Sequence, residues 1–345
     1  MKIALLLHKY FPYGGLQRDC LNLALLLLAR GHEVTAVTRE WEGEKPEDLE
    51  VVELGTRGMS NITRDRLFEE DVRLFLQGRK FDGLVGFSRL DVGLDVYYAA
   101  DPCYLERIGR ERPFWYRWTR KYRYRAGLED VLFRRGGDTL VLLLTDMEVP
   151  LFEEYYGTEG ERMVVLPPSI KRRDVSLEQK VELRKEVRDR LGWGDDLSAV
   201  LFVGSGFATK GLDRALISVA DAVRAGKKVV LPVVGSGDAG RYRHLAKRLG
   251  IEECVEFLGG RDDVFDYMLG ADLLIHPARS ENTGTVLVEA LVAGTGVLVT
   301  DRCGFACHVE RSGAGKVVGS PFKQKDFSGE LLNLLDEPWV CLLYT

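Results

Sequence analysis

Two glutamates, Glu281 and Glu289, bracket the stretch Asn282-Thr283-Gly284-Thr285-Val286-Leu287-Val288. Thr283, Gly284, Thr285 and Val286 then fall at the start of a helix. The first amides of a helix have no intrahelical acceptor, and its dipole is positive at that end. A diphosphate suits such an end. A sugar beside one carboxylate and a ribose beside the other would complete a nucleotide-sugar. On this reading Glu289 lies two turns into the helix, about 12 Å beyond Glu281. The competing reading is a pair of ordinary surface carboxylates.

A second candidate is Gly204-Ser205-Gly206-Phe207-Ala208-Thr209-Lys210-Gly211. It departs from the P-loop spacing, because Lys210 precedes its glycine and Leu212 stands where Ser or Thr is needed. ATP hydrolysis is therefore not expected. With Gly206 clearing the approach, Lys210 can still hold a diphosphate as a point charge. Arg261, after Gly259-Gly260, falls at a strand end where a cation would complement the same group; a solvated arginine is the alternative. Gly14-Gly15 opens the first helix and lets the backbone approach a phosphate. A purely structural turn explains it equally well, since the full G-x-G-x-x-G pattern is absent.

The segment Cys103–Arg125 holds eight Arg/Lys, two Glu and seven aromatic residues. Interleaved cations and Trp/Tyr rings suit an anionic lipid surface. The alternatives are a helical pair packed on its own domain, or an RNA-binding face.

The positioning elements follow from apolar runs and punctuation. Ile3–Leu7 is a continuous apolar run, as in a strand buried on both faces. Gly14-Gly15, a helix over Gln17–Arg30, Gly31 and a strand over Val34–Val37 complete a β-loop-α-β start. Further strands are expected at Val51–Leu54, Gly83–Gly86, Val96–Ala99, Leu140–Leu144 and Val164–Leu166. Pro167-Pro168 then marks a domain boundary. After a charged helix, Leu177–Leu191, strands at Ala199–Val203, Val229–Val234, Val255–Leu258, Leu273–His276 and Val297–Thr300 alternate with helices in five β/α units. The fold class is α/β, with two doubly wound parallel sheets. Phe322–Leu335 offers one last helix, and DEPWVCLLYT reads as a curtailed or foreign tail.

At 345 residues, the chain has room for two domains. A formal charge of −5, with 46% apolar and 29% charged residues, makes no overall case for nucleic-acid binding. Leu5–Leu7 is too short an apolar core for a signal peptide. The six cysteines contain no CxxC pair, and without a secretion signal reduced thiols in the cytoplasm are expected. Cys303-x3-Cys307-His308 lacks a second ligand pair, and no metal is expected. No apolar stretch reaches the length of a membrane span.

Several stretches together resemble the family-4 glycosyltransferases of the GT-B fold, in the branch acting on the lipopolysaccharide core. They are KYFPYGGLQRD (residues 9–19), LARGHEVTAVTREWEG (28–43), GLDVYYAADPCY (93–104), KGLDR (210–214) and ENTGTVLVEA (281–290). The likeness runs over residues 1–322. It implies two Rossmann-like domains facing a cleft: an acceptor domain over 1–167, a nucleotide-sugar domain over 168–322, and a shortened segment over 323–345. It implies UDP-glucose as donor and no further cofactor. The implied acceptor is a phosphorylated heptose of the lipopolysaccharide inner core, glucosylated with retention and without metal at the cytoplasmic face of the bacterial inner membrane. By position, Gly15 would lie against the diphosphate, Asp19 near the donor sugar and Asp101 at the reacting carbons. Lys210 would bind the diphosphate, Glu281 the glucosyl hydroxyls, Gly284–Val286 the phosphates and Glu289 the ribose. Thr209 departs from the family's second cation, and the family's crossing C-terminal helix is missing. A UDP-sugar 2-epimerase or an inactive sugar-nucleotide-binding protein on the same frame remains open. The absent dinucleotide fingerprint argues against an NAD-dependent oxidoreductase.

Overall fold

The computed structural model describes residues 1–12, 14–168, 170 and 176–336. The chain divides into two compact units, Met1–Pro167 and Pro168–Thr345. The DEPWVCLLYT tail beyond Asp336 lies outside the described residues.

In the first unit the strands are β1 (Lys2–Leu6), β2 (Glu33–Thr38), β3 (Glu50–Glu53), β4 (Gly83–Gly86), β5 (Val96–Ala99), β6 (Leu140–Leu143) and β7 (Met163–Val165). All pair in parallel, in the order β3-β2-β1-β4-β5-β6-β7. Side chains of a strand alternate between faces, and each face has its own core. Ala4 and Leu6 pack with Phe68, Val72, Tyr97 and Phe133 on one side. Ile3, Leu5 and Leu7 pack with Cys20, Ala24 and Trp41 on the other. This double burial is why β1 reads as an unbroken apolar run.

The second unit repeats the plan with β8 (Ser198–Val203), β9 (Val229–Val234), β10 (Val255–Gly259), β11 (Leu273–His276), β12 (Gly296–Thr300) and β13 (Gly315–Val318), in the order β10-β9-β8-β11-β12-β13. Ala199 and Leu201 face one core, and Val200 and Phe202 the other. All six residues of β9 are buried. Complete burial of one such side chain is worth about 1.5–3 kcal/mol, so these central strands anchor both layers.

Several elements go beyond the sequence-based expectation, the helices Val149–Tyr156 and Ala306–Ser312 among them. β13 adds a sixth strand; it is a four-residue edge strand, paired with β12, and carries no long apolar run. The helix Asn61–Gln77 is largely charged on its outer face and buries Phe68 and Val72 inward. Ser60 caps it through a hydrogen bond from the Thr63 amide. The last described helix, Gln324–Asp336, buries Phe327, Leu331 and Leu334 in the same core as the helix Leu212–Arg224.

In each sheet the strand order reverses once, between β1 and β4 and between β8 and β11. Open α/β sheets bind ligands beyond the carboxyl ends of the strands at such a point. The chain that leaves those four strands therefore carries the candidate chemistry.

Candidate active site

At the β8/β11 switch point, backbone approach sets the geometry. Gly204 and Gly206, just past β8, have φ of 150° and 71°. A Cβ on Gly235, just past β9, would sit 2.3 Å from the Gly204 carbonyl oxygen. A Cβ on Gly211 would sit 2.1 Å from the Pro277 carbonyl oxygen. Only glycine permits these contacts, and they press the short helix Phe207–Lys210 against the loop after β11. Lys210 there forms an ion pair with Glu281, 71 residues away, and both side chains are largely enclosed. Burial lowers the pKa of Lys210 from the ordinary lysine value, and the Glu281 carboxylate beside it favours the charged ammonium.

Glu281 is held on both sides by backbone. Its amide donates to Arg302 O at 2.9 Å, and Gly304 N donates to its carbonyl at 3.1 Å. Beneath it, His276 at the end of β11 is fully buried. Its Nε2 lies 3.7 Å from Glu281 Oε2. Burial, aided by the Lys210 charge, pushes His276 down to about 3, so the imidazole is neutral.

The helix Thr285–Ala293 starts beside this pair. Its N-cap is Gly284 at φ 81°, and no side chain caps it. A Cβ at Gly284 would lie 3.4 Å from Glu281 Cγ. The uncapped amides of Gly284–Val286, the Lys210 ammonium and the Glu281 carboxylate therefore converge. Phe305 N fixes the approach by donating to Thr283 O at 2.7 Å. Glu289 is half-buried and stands one turn into the helix, because the helix begins at Thr285. Glu281 itself lies in the loop before that helix, so the two-turn count within the helix becomes one turn.

Arg261 is exposed and makes a bidentate pair with Asp263 at 2.8 and 2.7 Å. Its loop reaches the neighbouring glycine turn, where Gly235 N donates to Gly259 O at 2.8 Å. Spacing had not singled out Arg279. Its Nη1 donates to Ala208 O at 2.9 Å, and its guanidinium pairs with Asp213 at 2.8 and 2.7 Å. A second cation thus reaches the lysine-bearing turn from another segment, beside the position that Thr209 leaves uncharged.

At the β1/β4 switch point the first unit has a cavity of about 300 Å³. Leu7, His8 and Lys9 after β1, and Phe87, Ser88 and Arg89 after β4, line it together with Asp101. Asp101 is exposed, and the loop behind it is clamped from within. Arg89 Nη2 donates to Pro102 O at 3.0 Å and pairs with buried Glu129 at 2.8 Å. Glu129 accepts from Tyr104 N at 2.9 Å, and Glu148 from Cys103 N at 2.7 Å. Burial raises the pKa of Glu148.

Gly14 caps the helix Gly15–Ala29 through backbone alone, and a Cβ on Gly15 would meet open space. Asp19, on that helix, accepts a 2.9 Å hydrogen bond from Tyr98 Oη. It lies outside the cavity lining that contains Asp101.

The basic aromatic segment folds as the helix Tyr104–Glu111, a 3-10 turn Phe114–Trp118 and the helix Arg120–Phe133. It divides into two faces. Phe114, Trp115 and Trp118 are 74%, 55% and 71% exposed, a cluster of large rings in solvent. Tyr104, Arg107, Tyr124 and Arg125 instead line the cavity. No described helix is long and apolar enough to cross a membrane.

Residues 184–341 match the family model for glycosyl transferases group 1. The chain is 38% identical over 340 residues to the lipopolysaccharide glucosyltransferase WaaG of Escherichia coli K12, covering 98% of this chain and 90% of that protein. The crystal structure of WaaG, a glycosyltransferase involved in lipopolysaccharide biosynthesis, superposes with a TM-score of 0.89 at 37% identity. That match covers 99% of this chain and 92% of the other. The fold is also that of the Anabaena protein HepE, solved with UDP and glucose. There the TM-score is 0.70 and the identity 19%, covering 97% and 89% of the two chains.

Proposed function

The chain belongs to the group 1 glycosyltransferase family and is a GT-B relative of WaaG; from that premise we propose that it moves glucose from UDP-glucose to a heptose of the lipopolysaccharide inner core, with retention and without metal. It is a glycosyltransferase of lipopolysaccharide core assembly. The finer reading rests on one observation, the Lys210–Glu281 pair beside the uncapped start of Thr285–Ala293.

Departure of UDP leaves negative charge on the β-phosphate. The Gly284–Val286 amides and the Lys210 ammonium stabilise that charge where it develops. Glu281 holds glucosyl hydroxyls, and Glu289 holds the ribose. Arg261, Arg279 and the Gly206 turn shape the phosphate surroundings. The acceptor hydroxyl attacks from the face that the leaving group vacates, and a departing phosphate oxygen takes its proton. Asp19 and Asp101 orient sugar hydroxyls. The exposed Phe114, Trp115 and Trp118, with neighbouring cations, rest on an anionic leaflet and keep the enzyme at the cytoplasmic face of the inner membrane.

Incubation with radiolabelled UDP-glucose and heptose-terminated lipopolysaccharide tests this. Label in the lipid supports the reading. UDP-sugar conversion without transfer, or binding without turnover, overturns it in favour of an epimerase or an inactive binder.

A further inference from the structure

The cavity of the first unit contains charges that the reaction above does not use. Several of its lining groups are neutralised within the protein. Lys9 pairs with Glu40 and Glu42, Arg89 with Glu129, and Asp65 with Arg39. Arg107 and Arg125 are different. Both line the cavity, and neither has a carboxylate partner among the described residues. Arg107 lies over the Tyr104 ring at 5.7 Å, which fixes its guanidinium against the wall. His8 also faces the cavity. Its Nε2 is shut from solvent, has no hydrogen-bond partner, and stands 3.9 Å from Asp65 Oδ1. That atom is closed to an incoming ligand, so the cations left to meet one are the two guanidiniums.

We propose that this cavity is an anion subsite in which Arg107 and Arg125 hold an acidic substituent of the acceptor saccharide while Asp101 meets its hydroxyls. The inference deepens the acceptor reading and rests on it. Two guanidiniums converging on one pocket suit a tetrahedral phosphate or a planar carboxylate, because each offers paired donors in a rigid fork. Asp101 lines the same pocket without an ion-pair partner among the described residues. It supplies an acceptor for neutral hydroxyls next to donors for the anion.

Deacylated, soluble inner-core oligosaccharide keeps membrane attraction out of the test. Three acceptors are compared: native, dephosphorylated with hydrogen fluoride, and carboxyl-reduced. For the wild-type enzyme, kcat/KM for acceptor is expected to fall about tenfold or more on whichever treatment removes the bound group, which identifies phosphate or carboxylate as the source. Arg107→Gln combined with Arg125→Gln should show that same fall on native acceptor and no further fall on the stripped one. KM for UDP-glucose should stay unchanged, and Arg125→Lys should recover part of the loss. Equal falls on native and stripped acceptors, or none, overturn the subsite.

A second measurement does not depend on the acceptor's identity. With UDP saturating, inorganic phosphate should broaden in 31P spectra with the wild type and not with the double variant, whose melting temperature verifies its fold. Equal broadening with both proteins overturns the proposal. Should phosphate bind while no saccharide is glucosylated, the acceptor reading fails and the anion subsite stands.

Discussion

The two switch points of the molecule are built on the same strand order and carry opposite electrostatic designs. In the second unit, the cation and the carboxylate are paired with each other. Lys210 rests on Glu281, and the neighbouring helix amides are left without a cap. In the first unit, several lining charges are paired within the protein, Arg89 with buried Glu129 among them, while Arg107 and Arg125 face the cavity without a carboxylate partner among the described residues. Burial disfavours the charged form of a lysine, and an adjacent carboxylate favours it. In the second unit Glu281 plays that part for the Lys210 ammonium. Partly exposed arginines need no such keeper, because they stay protonated in any environment. The difference teaches that one pocket is preorganised by glycine backbone and the other by buried charge.

Removing the buried charge tests the first unit's side of that contrast most severely. Glu129→Ala leaves Arg89 uncompensated and frees the loop that carries Asp101. A loss of about 3–5 kcal/mol is expected in denaturant melts, and a melt within 1 kcal/mol of wild type would refute the clamp. In the second unit, Glu281→Ala should lower transfer by about 100-fold or more with the fold intact. Combined with Lys210→Ala, the loss should be less than the product of the single losses, since the two groups act as a pair. Strict additivity would separate them. Replacing Arg117, Arg120, Lys121 and Arg123 with Gln should weaken binding to anionic vesicles by about tenfold or more, in a salt-sensitive way. Unchanged sedimentation with vesicles would remove the membrane role.

The pH response is a smaller effect. His8 and His276 are held at about 4 and about 3, chiefly by burial, against an ordinary histidine value of 6.5. The folded state thus prefers their neutral forms. Their contribution is complete above about pH 6.5 and is lost as pH falls toward 4 and then 3. His276→Phe should flatten the acid limb of a melting-temperature profile, and an unchanged limb would show that other groups set it. The smallest effect is expected for Arg261→Gln, a few-fold on transfer. Its guanidinium is exposed and already paired with Asp263, and exposed pairs contribute little.

The two sheets were legible where burial on both faces leaves a plain mark. Val229–Val234, between Gly226 and Gly235, and Leu273–His276 stand as their apolar runs predict. The helix Asn61–Gln77 escaped because its inward Phe68 and Val72 are diluted by charged neighbours. β13 escaped because an edge strand of Gly-Lys-Val-Val has little pattern to read. At the site, Lys210, Glu281 and the Thr285 helix start were each visible as types in a turn or cap. Their convergence was not, since it depends on Gly211 lying against Pro277 O and on Gly235 against Gly204 O. The division of residues 103–125 into a cavity wall and an exposed aromatic turn was equally hidden. It is set by which way the helix Arg120–Phe133 faces, and basic spacing alone carries no such direction.

A crystal of the protein soaked with a non-hydrolysable UDP-glucose analogue addresses the pairing of Lys210 and Glu281 most directly. The β-phosphate should lie on the amides of Gly284–Val286, with the Lys210 ammonium moved from Glu281 onto it and Glu281 on the glucosyl hydroxyls. A diphosphate bound elsewhere in the second unit, with Lys210 still resting on Glu281, would contradict the account.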